Sequence, residues 1–302
     1  MRFQLTKLLL GITTLALSLT PLPSTAQATW EPLPGRAQVG DQVSPIVSPI
    51  GVGSNDSAWV IGSGTRGQGG FGIYRWTGST WQRVSGAAED IAVSPNGTPW
   101  VVNSSGAVYQ WNGSSFQRSS APCASDIGVG LDNHPWILGC SKVAGGYGIY
   151  RLTNIGWQPV SGGAEDIAVS PEGTPWIVNS SGAIYKWNGS SFQRRSGCAN
   201  DIGVGSNDSA WVVGCGTPGT GGYGIYAWNG SRWIPISGAA KYIAVSPSGT
   251  PWIVNSSGTI YRRANSPTCV PGKPCVQNVP KHQKRYRSID NGTTKGQPEQ
   301  IR

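Results

Sequence analysis

Residues 167–189 read Ile-Ala-Val-Ser-Pro-Glu-Gly-Thr-Pro-Trp-Ile-Val-Asn-Ser-Ser-Gly-Ala-Ile-Tyr-Lys-Trp-Asn-Gly. Short β-branched and aromatic runs alternate here with Pro, Asn and Gly clusters, the signature of brief strands joined by tight turns. The unit is not alone. In the preceding similar stretch the strands are Ile91–Val93, Trp100–Val102, Val108–Trp111 and Phe116–Arg118, divided by Pro95-Asn96-Gly97, Asn103-Ser104-Ser105-Gly106 and Asn112-Gly113. The Trp that opens the second run recurs as Trp59, Trp100, Trp136, Trp176, Trp211 and Trp252. Alternate members keep the stricter spacing, so six units form three copies of a two-unit pair. Four-stranded units of about 40 residues are propeller blades, because one such sheet cannot bury both faces by itself.

The ends of the repeat predict how the ring closes. The sixth unit stops at Tyr261-Arg262-Arg263 without a fourth strand. The stretch Trp30-Glu31-Pro32-Leu33-Pro34-Gly35 matches Trp157–Gly162 and Trp233–Gly238. The expectation is an all-β, six-bladed β-propeller over residues 29–264, with the N-terminal strand completing the last blade.

Composition agrees. Gly and Pro number 44 and 22, charged residues are only 12%, and 14 Trp argue against disorder. The net charge of +9 sits unevenly: residues 29–263 carry 14 basic and 12 acidic groups, while 265–302 carry 7 basic and 2 acidic. A nucleic-acid-binding body would be basic itself, so nucleic acid is excluded as a partner. Residues 265–302 read as a basic, largely disordered tail suited to anionic surfaces. Arg2 and Lys7, the apolar run Leu8–Leu19 and the site Ala26-Gln27-Ala28 read as a signal peptide over 1–28. No stretch is a transmembrane candidate. A secreted or periplasmic protein is expected.

Six cysteines suit that compartment. If Ile127 faces Trp136 and Ile202 faces Trp211, then Cys123 faces Cys140 and Cys198 faces Cys215, within disulfide reach. A third bridge, Cys269–Cys275, is expected in the tail.

The repeated unit, carried by Ile167-Ala168-Val169, Trp176-Ile177-Val178, Gly182-Ala183-Ile184-Tyr185-Lys186-Trp187-Asn188-Gly189 and Phe192, resembles the tectonin repeat of tachylectin-like and fish-egg lectins. The resemblance spans roughly residues 30–263 and implies a six-bladed propeller that binds cell-surface glycans, bacterial lipopolysaccharide included. The family also holds protein-interaction modules, so an extracellular or periplasmic protein partner is the alternative reading. The alternation of two unit types, the insertion at Gln38–Ser48 and the basic tail depart from a uniform repeat.

The Trp residues on the repeat grid are assigned to blade packing. Phe71, Tyr147 and Tyr223 stand off that grid, in Gly-rich connections, on the face that carries the Asn103, Asn179 and Asn255 turns. An aromatic platform beside an amide suits a sugar's apolar ring face and hydroxyl edge, and three copies give avidity. The pairs Glu89-Asp90 and Glu165-Asp166, with Asp126 and Asp201, are expected to accept backbone N–H groups before the first strand of each unit. Only His134 and His282 are present, no Gly-x-Ser-x-Gly elbow accompanies them, and no Cys/His ligand spacing occurs. No enzyme activity, cofactor or metal is expected.

Overall fold

The computed structural model describes residues 29–40, 48–130 and 134–264. The signal-peptide reading, the tail and Cys269–Cys275 lie outside the described residues. The strands form antiparallel quartets whose members follow chain order outward, except in the last, whose outer strand is N-terminal. The first blade is Ile50–Val52, Ala58–Ile61, Phe71–Trp76 and Trp81–Ala88. The second is Asp90–Val93, Pro99–Val102, Val108–Trp111 and Phe116–Arg118. The third is Ala124–Val129, Pro135–Val143, Gly146–Thr153 and Gly156–Ala164. The fourth runs Asp166–Val169, Pro175–Val178 and Ala183–Trp187, then takes the first half of the long strand Phe192–Val204. The second half of that strand opens the fifth blade, followed by Ala210–Gly214, Tyr223–Trp228 and Trp233–Ala240.

The sixth blade has Tyr242–Val245, Pro251–Val254 and Thr259–Arg263, and its outer strand is Trp30–Arg36, with Trp30 opposite Arg263 and Pro32 opposite Tyr261. The ring therefore closes by hydrogen bonding between the two ends of the repeat. The inner strands, such as Ala124–Val129 and Tyr242–Val245, are almost wholly buried, whereas the outer strand Trp81–Ala88 is mostly exposed or half-buried.

Two belts tie blade to blade. The outer belt is made by indole N–H groups of the fourth strands. Trp81 donates to the Pro34 carbonyl (2.8 Å), Trp233 to Ser196 (2.7 Å) and Trp30 to Ser237 (2.8 Å), each on the preceding blade. Phe116 and Phe192 hold this position in the second and fourth blades and pack without that donor. Inside, the second-strand Trp rings pack edge-on against the next blade, as Trp176 does on Trp228 and Trp233 with centroids 6.4 Å apart.

The two disulfides Cys123–Cys140 and Cys198–Cys215 are formed, with Cα separations of 5.5 and 5.6 Å. The register leading to them differs from the sequence reading by one residue. Ile127 lies opposite Ile137 rather than Trp136, and Ile202 opposite Val212 rather than Trp211. A bulge between Ala124 and Asp126, and its twin between Ala199 and Asp201, absorbs the extra residue before the cysteines are reached. Each bridge then seats on a glycine of the preceding blade. A Cβ at Gly106 would collide with both sulfurs of the first bridge, and one at Gly182 with Cys198 Sγ.

At the third such junction no bridge occurs. Ala37 donates to the Gly258 carbonyl as Ala124 does to Gly106 and Ala199 to Gly182, all at 2.9 Å. The N-terminal segment thus occupies the place that cysteine-bearing chain fills elsewhere. Replacing Cys198 and Cys215 together by Ala should lower unfolding free energy by about 3 kcal/mol, the value for a loop near this length. Denaturant titration at a constant slope checks it.

Candidate ligand-binding site

Chain direction alternates within a blade, so the turns divide between two faces. One face, called here the mouth face, carries the starts of the inner strands and the turns joining second to third strands. The opposite face carries the Ser-Pro-x-Gly turns and the Asn-Gly turns.

On the mouth face the loops bearing Phe71, Tyr147 and Tyr223 bond to the turns of Asn103, Asn179 and Asn255 in three junctions. Ser104 N–H donates to the Gly69 carbonyl (3.0 Å), Ser180 to Gly145 (2.9 Å) and Ser256 to Gly221 (3.0 Å). Each bond docks an aromatic-bearing Gly-rich loop onto the Asn turn of the next blade. Gly70, Gly146 and Gly222 adopt φ of +121°, +134° and +120°, and a Cβ there would strike the backbone of Ala88, Ala164 or Ala240. Only glycine lets these loops lie flat.

The aromatics are not equivalent. Phe71 is 6% exposed and packs with Trp59, Ile73 and Ile91, so it fills core. Tyr147 and Tyr223 are half-buried. Lys142 Nζ lies 5.0 Å from the Tyr147 ring centroid. The Oδ1 atoms of Asn103, Asn179 and Asn255 each accept from two backbone N–H groups and one serine hydroxyl of their own turn. Their amide N–H groups have no hydrogen-bond partner among the described residues.

The mouth itself is a cavity of about 550 Å³ whose lining includes Arg66, Glu89, Asn103, Tyr147, Glu165 and Asn200. Arg66 Nε meets Glu89 Oε1 at 2.7 Å, and Lys142 stands 3.6 Å from Glu165. The second Glu89 oxygen is buried with no hydrogen-bond partner among the described residues. That atom is an acceptor suited to a ligand hydroxyl or a water. Sequence reading missed Glu89 as a mouth group, because its neighbour Asp90 drew the pair into the structural assignment.

Beneath the mouth lie Asp90, Asp126, Asp166 and Asp201, all at most 4% exposed. Each accepts from the next blade: Ile127 N–H to Asp90 (3.0 Å), Ile167 to Asp126 (2.8 Å), Ile202 to Asp166 (2.8 Å) and Ile243 to Asp201. Burial pushes all four carboxyls up. The Asp126 charge adds to this at Asp90, and Asp201 adds to it at Asp166. Asp126 is raised to about 6, again by burial. Buried carboxylates with raised pKa values are candidates for catalysis, but these are committed to backbone donors between blades and act as joints. Tyr242 replaces the fifth aspartate, and its hydroxyl donates to the Val39 carbonyl (3.0 Å). Among the described residues no trio of His, Cys, Asp or Glu is placed to hold a metal ion.

The opposite face holds an arrangement that sequence reading passed over. A cation on the third strand lies over the second-strand Trp beside it: Arg75 over Trp59, Arg151 over Trp136, Lys186 over Trp176 and Arg262 over Trp252, at 5.6–6.0 Å from the ring centroids. Trp59, Trp100, Trp176 and Trp252 keep buried indole N–H groups without a partner among the described residues. The signal was available in the antiparallel register, since Trp176 and Lys186 are directly opposed.

The tectonin-domain profile matches residues 71–143 and 139–271. The chain belongs to the tectonin-domain family. Solved structures share the fold at low identity. The SapL1 lectin in complex with α-methyl fucoside has a TM-score of 0.52 and 15% identity, over 75% of this chain and 96% of that one. A protein provisionally assigned as a gluconolactonase has a TM-score of 0.52 and 11% identity, over 79% and 92%. A protein of unknown function from Bacteroides thetaiotaomicron VPI-5482 has a TM-score of 0.51 and 12% identity, over 79% and 76%. No curated protein matches the sequence. Among the described residues of this tectonin protein no helix is long and apolar enough to cross a membrane.

The aspartate joints make stability depend on pH in a definite direction. Asp126 titrates near 6 when folded, above its ordinary 3.8, so its protonated form favours the fold. That contribution is complete below about pH 4 and is lost as pH rises through about 6. The melting temperature should therefore rise between pH 7.5 and 4.5. In Asp126→Asn, which keeps an acceptor without the charge, the rise should be smaller. Calorimetry of both proteins across that range measures the difference.

Proposed function

We propose that this tectonin protein is an exported, non-enzymatic lectin that binds cell-surface glycans, lipopolysaccharide among them, multivalently on its mouth face. The observation that carries the reading is the repeated junction in which an aromatic loop docks on an amide turn around a polar mouth. Tyr147 and Tyr223 offer partly open rings for the C–H face of a sugar. The amide groups of Asn103, Asn179 and Asn255 and the free Glu89 oxygen offer hydroxyl partners. Family membership supports the reading, and so does the fucoside-bound lectin among the structures of like fold. Two disulfides suit an oxidising compartment outside the cytosol. The buried aspartates serve the scaffold, which argues against hydrolysis at the axis.

Multivalency gives the test. Beads coated with lipopolysaccharide or with a fucosylated carrier protein should be cross-linked by the full chain. The variant Tyr147→Ala with Tyr223→Ala should keep its cooperative melting and lose at least about tenfold in agglutination titre, since avidity amplifies each lost site. Undiminished agglutination by that variant would remove the two tyrosines from the site. Beads that stay dispersed, with stoichiometric capture of a protein instead, would replace the lectin by an interaction scaffold.

A further inference from the structure

The clefts between blades on the opposite face differ in charge, and one of them forms a site. Between the fourth and fifth blades lies a cavity of about 560 Å³ lined by Trp176, Lys186, Arg195, Asp208, Ser209 and Trp228, with Asn229 at its edge. Its size falls within the roughly 300–1,000 Å³ of small-molecule sites. We propose that this cleft binds an anionic monosaccharide unit, a hexuronate, independently of the mouth face. The inference extends the lectin reading to a second surface and a second ligand class.

The cleft is held ready by its own chain. Asn207 and Asp208 take left-handed φ of 54° and 58° in the Ser206–Asp208 turn. The Glu172 carboxylate accepts the Asn207 N–H at 3.3 Å. The turn presents Asp208 to Lys186, which reaches it from the neighbouring blade and lies 5.6 Å from the Trp176 ring centroid. Arg195, half-buried on the outer strand, has no ion-pair partner among the described residues. With Lys186 already matched to Asp208, the cavity keeps one uncompensated guanidinium. Its planar fork fits a carboxylate. Trp228 supplies apolar surface for the pyranose ring. Asp208, Ser209 and the amide N–H of Asn229 are placed along the rim for hydroxyls, the Asn229 Oδ1 being taken by its own turn.

The quasi-equivalent cleft between the sixth and first blades shows what the site requires. Arg262 there meets two carboxylates, Asp56 at 2.8 Å and Glu31 at 3.1 Å. The register places Glu31 where the fourth blade has Gln193, and Leu33 where it has Arg195. That cleft carries net negative charge and takes no anion. In the second blade Gln110 stands opposite Trp100 in place of the cation. Of these three clefts, only the one between the fourth and fifth blades combines a cation over its Trp with an outer-strand Arg free of ion pairs among the described residues.

The full chain is titrated with sodium glucuronate, glucose and sodium acetate, following tryptophan fluorescence and heat. Glucuronate should saturate at one equivalent and bind at least about tenfold more tightly than glucose or acetate. Arg195→Gln should weaken glucuronate at least about tenfold, and Arg195→Lys should restore part of the loss. Arg195 makes no ion pair, so both variants should melt as the parent does, and melting curves confirm that they are folded. The Tyr147→Ala, Tyr223→Ala variant should bind glucuronate normally, which separates this site from the mouth face. Acetate binding as tightly as glucuronate, unchanged affinity in Arg195→Gln, loss of affinity in the tyrosine variant, or no saturable glucuronate binding would each overturn the proposal.

Discussion

Four aspartates hold the centre of this ring together. Each lies on an inner strand and accepts the amide N–H of an isoleucine on the next blade's inner strand. A propeller's inner strands have no sheet partner on their axial side, so their axial backbone donors need acceptors from elsewhere. A carboxylate reaching sideways supplies one and sets the blade-to-blade offset at the same time. The cost is four buried acids, each with its pKa raised chiefly by that burial. The first and sixth blades use other means: the Ser48 carbonyl accepts Ile91 N–H, and Tyr242 anchors on Val39. The departures coincide with the place where the ring is closed.

From that fixed centre, the pairing of odd and even blades divides the surface. Two of the three odd blades carry the bulges that lead to the disulfides. Even blades carry the glycine turns on which those bridges rest. Closure by Trp30–Arg36 makes the first odd blade the exception, since Ala37 fills the corner instead. The same alternation sets the faces apart. The mouth face gathers carboxylates, amides and tyrosine rings, while the opposite face stacks cations on tryptophans.

Much of the fold was legible in the sequence because the repeat states it six times. Trp59 to Trp252 marked the four-stranded units, and Trp30–Gly35 marked the closing strand. The cysteine pairs were also legible, although through a register one residue off at Ile127 and Ile202. A bulge leaves no mark in a period-2 pattern when both faces of the strand are buried, as in Ala124–Val129. The candidate site was less legible. The spacing that aligned Phe71 with Tyr147 and Tyr223 could not show that Phe71 is closed over by Trp59 and Ile91. Assigning the tryptophans wholesale to packing hid the cation pairs, although Lys186 and Arg262 stand directly opposite Trp176 and Trp252 on their own blades.

The central claim is recognition of glycans by a tectonin propeller. Its body is nearly neutral, so recognition must come from shape, stacking and hydrogen bonds rather than bulk charge. A glycan array probed with purified, disulfide-intact residues 29–302, at physiological and at molar salt, tests this directly, because salt screens exposed charge and spares stacking. The account predicts a defined set of bound glycans whose signals persist in molar salt. An array with no bound glycan, or one whose signals all vanish in molar salt, would contradict it.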